Sequence, residues 1–369
     1  MKSYKTLKQR IKDKHIPYLL TLSREVNFVF NFVNNLSYEH TRRKGKFLSA
    51  FDITTYTKGC TSKDLGEDKL KLHSQTIQAI SEEYVLRRKQ FRKSRLNWRV
   101  SDKNKSRYSL GWIPFKSSGI QIEHGQIKYA GKWFSLFKSY NLDEYKIKSG
   151  CFVEDTRGRW YVSLVVEVEA QIKPALELID KDKTVGIDLG LKDFATITNG
   201  TVHSKAEIKQ NYRHHEQKLS IAQRANKKDR VKAIHAKIKN KRKDELHKLS
   251  SKLVQNNQAI FVGDVSSSKL AKTKLAKSVL DAGWSIFRNM LEYKCKHADI
   301  YYDKIDEKYT TQDCSHCGSR HSSPKGRADL GIREWRCSEC NTLHDRDINA
   351  AINILVRGHA HLAGGIPAL

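Results

Sequence analysis

No apolar run in the 369-residue chain approaches the ~18 residues that a membrane span requires. The start, Met1-Lys2-Ser3-Tyr4-Lys5 followed by Lys8, Arg10 and Lys12, lacks the apolar stretch of a secretory signal. A spanning or exported protein is therefore not expected, and the site of action is expected to be intracellular. Acids are in short supply: 40 Asp and Glu face 69 Lys and Arg, a formal charge of +29. That imbalance points to a polyanion as partner. A disulfide framework is missing too, because the seven cysteines are odd in number and four of them form two close pairs near the C-terminus. This is the pattern of a metal site in a reducing compartment. Cys60, Cys151 and Cys295 read as ordinary buried thiols. What is present suffices for real cores: 38% hydrophobic and 30% charged residues exclude wholesale disorder. The length allows two or three domains.

A basic strand-like stretch, Tyr4 to Ile11, leads into apolar positions from Tyr18 and Leu19 to Val33 and Leu36 whose spacing predicts a helix. Leu70 to Trp98 reads as a second helical block. Its later half carries Arg87, Arg88, Lys89, Arg92, Lys93 and Arg95 with Phe91 and Trp98 among them, a mixture suited to phosphate and base contacts or to a solvated basic face. From Leu110 to Glu169 the rhythm becomes short alternating runs separated by glycines, which predicts a small antiparallel barrel or sheet. Because the first strand precedes the helices, the helical block reads as an insertion into it. Lys173-Pro174 begins a linker.

The second half opens with a buried strand, Thr184 to Gly190, then a three-stranded meander through Phe194–Thr198 and the hairpin dipeptide Asn199-Gly200 to His203. A long basic helical region follows, with 15 Lys/Arg and 5 Asp/Glu between Thr201 and Ser250. Gln258–Gly263 and Asp299–Ile305 read as further strands, with an amphipathic helix, Ser278 to His297, between them. The order points to one mixed α/β sheet. Cys314, Cys317, Cys337 and Cys340 form two CxxC knuckles with 19 residues between them, which brings four thiolates to one structural Zn²⁺. Such a closed site folds its insert and performs no chemistry. His316 and His344 read as neighbours of the ligands. Asp188 ends a strand and Asp347 begins a helix with apolar Ile348, Ala351, Ile352 and Leu355; singly, these acids fit a turn and an N-cap. Jointly, in so basic a chain, they suggest carboxylates gathered around Mg²⁺ for phosphodiester chemistry.

Gly186-Ile187-Asp188-Leu189-Gly190, Tyr309-Thr310-Thr311-Gln312 before the first knuckle, and Asp345-Arg346-Asp347-Ile348-Asn349-Ala350-Ala351 resemble the TnpB family, the insertion-sequence-encoded RNA-guided DNA endonucleases related to type V CRISPR effectors. Leu72-His73-Ser74-Gln75-Thr76 adds to the likeness in the first half. The resemblance implies an α/β multidomain protein. Residues 1–17 would be the first strand of a wedge β-barrel completed by 106–174, and 18–105 an inserted helical recognition domain. Residues 175–369 would be an RNase H-like RuvC nuclease with a basic helical segment, 205–256, and a zinc ribbon, 312–343. It further implies a guide RNA from the protein's own element, a double-stranded DNA target beside a short adjacent motif, no membrane partner, and a monomer with one RNA. The setting would be a bacterial or archaeal cytoplasm, at the nucleoid when bound. Arg87, Arg88, Arg92, Lys237, Lys239, Lys241, Arg242 and Lys243 would touch nucleic acid.

One departure matters. The family's second catalytic Glu, usually followed by Asp, is here Gly263 followed by Asp264, whose side chain should point the other way by strand alternation. After the next strand, Ile305-Asp306-Glu307 stands where Val-Asp-Pro is usual. Two readings stay open: a nuclease-dead RNA-guided DNA binder, or a relocated site in which Asp188, Glu307 and Asp347 hold two Mg²⁺ ions. A strand-transferring transposase would need a tyrosine or acidic-triad recombinase context, and no tyrosine here sits in a recognisable one.

Overall fold

The computed structural model describes residues 2–57, 71–137, 141–169, 179–206, 211–264, 283–321 and 331–363, with 323, 324 and 329. Cys60, the Lys173-Pro174 linker and the expected helix start at Ser278 lie outside them. The chain divides into two compact units, Lys2–Glu169 and Ala170–Leu369.

In the first unit, β1 (Lys2–Arg10) pairs antiparallel with β7 (Trp160–Glu169), which pairs with β6 (Lys146–Glu154), which pairs with β2 (Trp112–Lys116). Trp160, Val162, Leu164 and Val166 alternate inward along β7, the period of a half-buried strand. A second antiparallel sheet, β3 (Ile120–Glu123), β4 (Gln126–Tyr129) and β5 (Lys132–Phe134), meets the first strand's end through a bridge between Ile11 and Leu136. The region expected to form an antiparallel barrel or sheet thus holds two antiparallel sheets on one core. Between β1 and β2 come α1 (Ile16–Lys44), α2 (Ala50–Thr57) and α3 (Ser74–Phe91). Leu19, Leu22, Val26, Val29, Phe30 and Val33 recur at helical spacing and are buried along α1. The helix expected to reach Trp98, α3, stops short of it, because Arg92 takes a left-handed backbone at φ 51° and its N–H returns to the last carbonyls.

The second unit is built on five strands in the order β10 (His203–Ala206), β9 (Ala195–Thr198), β8 (Thr184–Asp188), β11 (Ala259–Gly263) and β12 (Tyr301–Ile305). β8, β11 and β12 run parallel, and β9 and β10 fold back antiparallel. All five residues of β11 are buried, as expected of a central strand covered on both faces. α4 (Asn211–Arg224) and α5 (Lys228–Asn256) follow the meander, and α6 (Trp284–Ala298) joins β11 to β12. A two-stranded ribbon, β13 (Glu334–Arg336) and β14 (Leu343–Asp345), precedes α7 (Arg346–Ala363). α7 buries Ala350, Ala351, Ile354, Leu355 and Gly358; Ile348 and Ile352, expected on that face, are only half-buried. Its approach to β8 depends on Gly186, where a Cβ would fall 2.3 Å from the Ala351 carbonyl oxygen. The glycine thus lets the helix carrying Asp347 lie against the strand carrying Asp188. No described helix is long and apolar enough to cross a membrane.

Candidate active site and zinc ribbon

Parallel strands end at one edge of a sheet, so the side chains that follow β8, β11 and β12 share a neighbourhood. Asp188 closes β8. Gly263 closes β11 and lies in register with Ile305, the last residue of β12, and Glu307 follows two residues later. The Glu307 side chain turns back over β11: a Cβ built on Gly263 would lie 2.0 Å from Glu307 Oε1 and 2.7 Å from its Cδ. The carboxyl of Glu307 therefore occupies the room that any side chain at 263 would need. Its Oε1 is buried and has no hydrogen-bond partner among the described residues. Asp264 is largely exposed, with its backbone N–H on the Ile305 carbonyl and its carboxylate paired with Arg288, and both charges are felt at Glu307.

The third acid sits in the first turn of α7. Asp345, not Asp347, is the N-cap: its Oδ1 accepts from the N–H groups of Asp347 and Ile348, both at 3.0 Å. The Asp347 carboxylate is thereby spared from capping, and Arg333 donates to its two oxygens at 3.3 and 3.4 Å. Arg346 is buried and donates to the Asp329 carbonyl, and its charge favours ionised Asp188. Lys205, counted in the basic segment, is drawn to Asp345 at 2.8 Å and Asp193 at 3.6 Å. Unlike the cysteine sulfurs described below, the three acids Asp188, Glu307 and Asp347 do not gather their oxygens within 4.8 Å of one another.

Burial and mutual repulsion raise two of these acids. Burial first, then the charge of Asp347, pushes Asp188 up to about 7. Burial first, then Asp188, pushes Glu307 up to about 8, against the pull of Arg288. The unfolded chain releases both protons near pH 4, so between about pH 4 and 8 the metal-free folded state holds more protons and loses stability as pH rises. The loss is at most about 1.4 kcal/mol per pH unit for each group and levels off above the folded values. With zinc retained and Mg²⁺ removed, Glu307→Gln is expected to melt progressively higher than wild type as pH goes from 5.5 to 8.5. Calorimetry giving parallel melting curves across that range would contradict the shift.

The four cysteine sulfurs of the ribbon lie within 4.8 Å of one another, with Cys314–Cys340 and Cys317–Cys337 both at 3.6 Å. Tetrahedral Zn–S bonds of about 2.3 Å place sulfurs about 3.8 Å apart, so the quartet could hold zinc. His344 is not part of it; its Nε2 lies 3.0 Å from Cys314 Sγ and its ring packs on Trp335.

The candidate nucleic-acid residues separate. Arg87 and Arg92 are exposed, Arg87 pairing with Glu83 at 2.6 Å. Arg88 departs from the expectation: it is 5% exposed and donates to Ser37 Oγ and the Leu48 carbonyl, so it ties α3 to α1 and the start of α2. Lys237, Lys239, Lys241 and Lys243 are exposed on α5, flanking the buried stripe of Ile238, Leu246 and Leu253. Arg242 is half-buried with its Cδ beside Gly283. Cys295 is buried and Cys151 partly so.

Residues 163–274 match the family model described as "Probable transposase" (OrfB_IS605), and residues 284–354 match "Cas12f1-like, TNB domain". A Streptomyces pristinaespiralis protein named "Putative RNA-guided DNA endonuclease" is 37% identical over 225 residues, 57% of this chain and 53% of its own length. The Escherichia coli K12 "Putative RNA-guided DNA endonuclease InsQ" is 29% identical over 243 residues, 58% of this chain and 57% of its own. The chain thus spans about half the length of the curated relatives it matches. Against the protein of a solved "Cas12f1-sgRNA-target DNA complex" the TM-score is 0.59 at 13% identity, covering 96% of this chain and 99% of that one, a likeness of fold. The two family models fall largely on the part of the chain that holds the mixed α/β sheet and the four-cysteine cluster. In sequence the chain is thus similar, over little more than half its length, to proteins named as RNA-guided DNA endonucleases.

Proposed function

We propose that the chain is an RNA-guided DNA endonuclease in which Asp188, Glu307 and Asp347 hold two Mg²⁺ ions. The observation that carries this reading is the Glu307 carboxyl seated in the space left by Gly263, with one oxygen buried and lacking a hydrogen-bond partner among the described residues. An all-oxygen, all-carboxylate donor set suits Mg²⁺. When bound, the ions supply Lewis acidity, one to the attacking water and one to the departing 3′ oxygen. The chain's part is to keep three acids at one sheet edge. Gly186 admits α7, Asp345 caps it so that Asp347 is available, and Arg346 offsets repulsion at Asp188.

In this reading Lys2–Glu169 supplies the wedge sheets and the helical recognition insert, and the second unit is the RuvC-like nuclease with its zinc ribbon. The guide RNA and its DNA duplex are read by backbone and shape. One RNA serves one protein monomer in the cytoplasm. Sequencing the RNA that copurifies, then programming it against a plasmid library with randomised flanks, tests the whole reading. Mg²⁺-dependent cutting beside one short motif is expected. Stable binding without nicking in Mg²⁺ or Mn²⁺ would favour the nuclease-dead alternative that Gly263 raises.

The exposed lysines of α5 belong to the same proposal. Each phosphate contact steepens the fall of log K with log salt by roughly 0.7 to 0.9. Replacing Lys237, Lys239, Lys241 and Lys243 together by Gln should flatten the slope for guide RNA by about 3. A filter-binding series with an unchanged slope would make them a solvated face.

A further inference from the structure

Resting on the reading of Glu307 as a metal ligand, we infer that Arg357 is a positioning residue that fixes Glu307 relative to Asp347. Glu307 lies beyond the end of β12, on the stretch leading to the first knuckle, outside any strand or helix. A ligand on such a stretch needs outside support, because ligand sets must be held to within about 0.5 Å to work. The support comes from α7. Arg357 Nη1 donates to the carbonyls of Asp306 at 2.8 Å and Lys308 at 2.9 Å, the two peptide oxygens that bracket Glu307. Its Nη2 donates to Asp313 Oδ2 at 3.0 Å. The remaining carbonyl, that of Glu307, accepts from the Thr310 N–H at 3.1 Å and the Thr310 hydroxyl at 3.0 Å. Farther along, Asn353 Nδ2 donates to the carbonyls of Thr310 and Asp313 at 2.8 and 2.7 Å.

Asn349, Asn353 and Arg357 recur every fourth residue, so they form one stripe on α7, apart from the apolar face that packs on the sheet. Asp347 stands in the first turn of that helix, ten residues or about 15 Å before Arg357. A single rigid element therefore carries one acid and grips the carbonyls of the residues on either side of another. The planar guanidinium fork serves three acceptors at once; a lysine, with one nitrogen, would not reproduce it.

The test uses the full-length protein with its guide RNA. Arg357→Met is expected to slow cleavage by about 10- to 100-fold and to raise the half-maximal Mg²⁺ concentration by a similar factor, as loss of outer support does at metal sites. It should also shrink the rise in Tm produced by Mg²⁺, a readout independent of cutting, while guide RNA affinity stays unchanged. Arg357→Lys should fall between, and it decides by the same readouts if the Met variant does not fold. In the Glu307→Gln background, adding Arg357→Met should leave the residual Mg²⁺ response unchanged. If Arg357→Met lowers Tm equally with and without Mg²⁺ and leaves the Mg²⁺ midpoint in place, Arg357 is an anchor only and the inference falls. If instead Glu307→Gln cuts at the wild-type rate, the reading of Glu307 itself has failed, and the inference falls with it.

Discussion

Glu307→Gln is expected to lower cleavage of a programmed target by about a thousandfold or more, because ligands that act as a unit lose nearly everything when one is neutralised. The substitution keeps the shape of the side chain and removes its charge, so the packing over Gly263 survives. Guide RNA and target binding should persist, since neither depends on the carboxylate edge of the sheet. Asp188→Ala and Asp347→Ala should fall to the same floor, and pairing either with Glu307→Gln should cost little more. Asp264→Asn should be mild, because that side chain is largely exposed and is already paired with Arg288. Single-turnover cleavage and a binding assay on the same preparations separate these outcomes. Full cutting by Glu307→Gln with none by Asp264→Asn would assign the metal to the other carboxylate at this edge.

The strands of the second unit were legible because buried strands announce themselves. Thr184–Asp188 and Ala259–Gly263 are near-continuous apolar runs, and the structure places both within a residue or two of the expected bounds. That Glu307 would come near Gly263 could be argued from strand adjacency alone, since a loss and a gain at neighbouring strand ends point at one another. Other features left no mark. Arg88 looked like part of a basic face because its burial comes from Ser37 and Leu48, far away in sequence. The stop of α3 at Arg92 has no glycine to advertise it. Arg357 and Asn353 grip backbone carbonyls, which every residue possesses, so nothing in the partner stretch identifies what it binds. Asp345 was within reach: an Asp two residues before Asp347 satisfies N-cap logic better than Asp347 itself, and it leaves the later acid to other work.

The exchange of carboxylates between the two strand ends gives the sharpest expected result. Adding Glu at 263 to the wild-type chain should not improve cutting and should weaken it, because its Cβ would lie 2.0 Å from Glu307 Oε1 and a second carboxylate would enter a site whose acids already repel. Glu307 must be displaced, and the displaced side chain no longer completes the set. Glu307→Ala alone should be as inactive as Glu307→Gln. The double variant Gly263→Glu with Glu307→Ala empties the space and supplies a carboxylate from β11 in place of the one from the end of β12. Recovery of at least about a hundredfold over Glu307→Ala is expected, some of the loss remaining because the new side chain starts from a different backbone. The measurement is cleavage rate at saturating guide RNA across a Mg²⁺ titration. Gly263→Glu raising activity while Glu307 is intact would mean that the native site is incomplete, as the nuclease-dead reading requires. A double variant no better than Glu307→Ala, in protein that melts like wild type, would mean that the two positions do not serve one metal site.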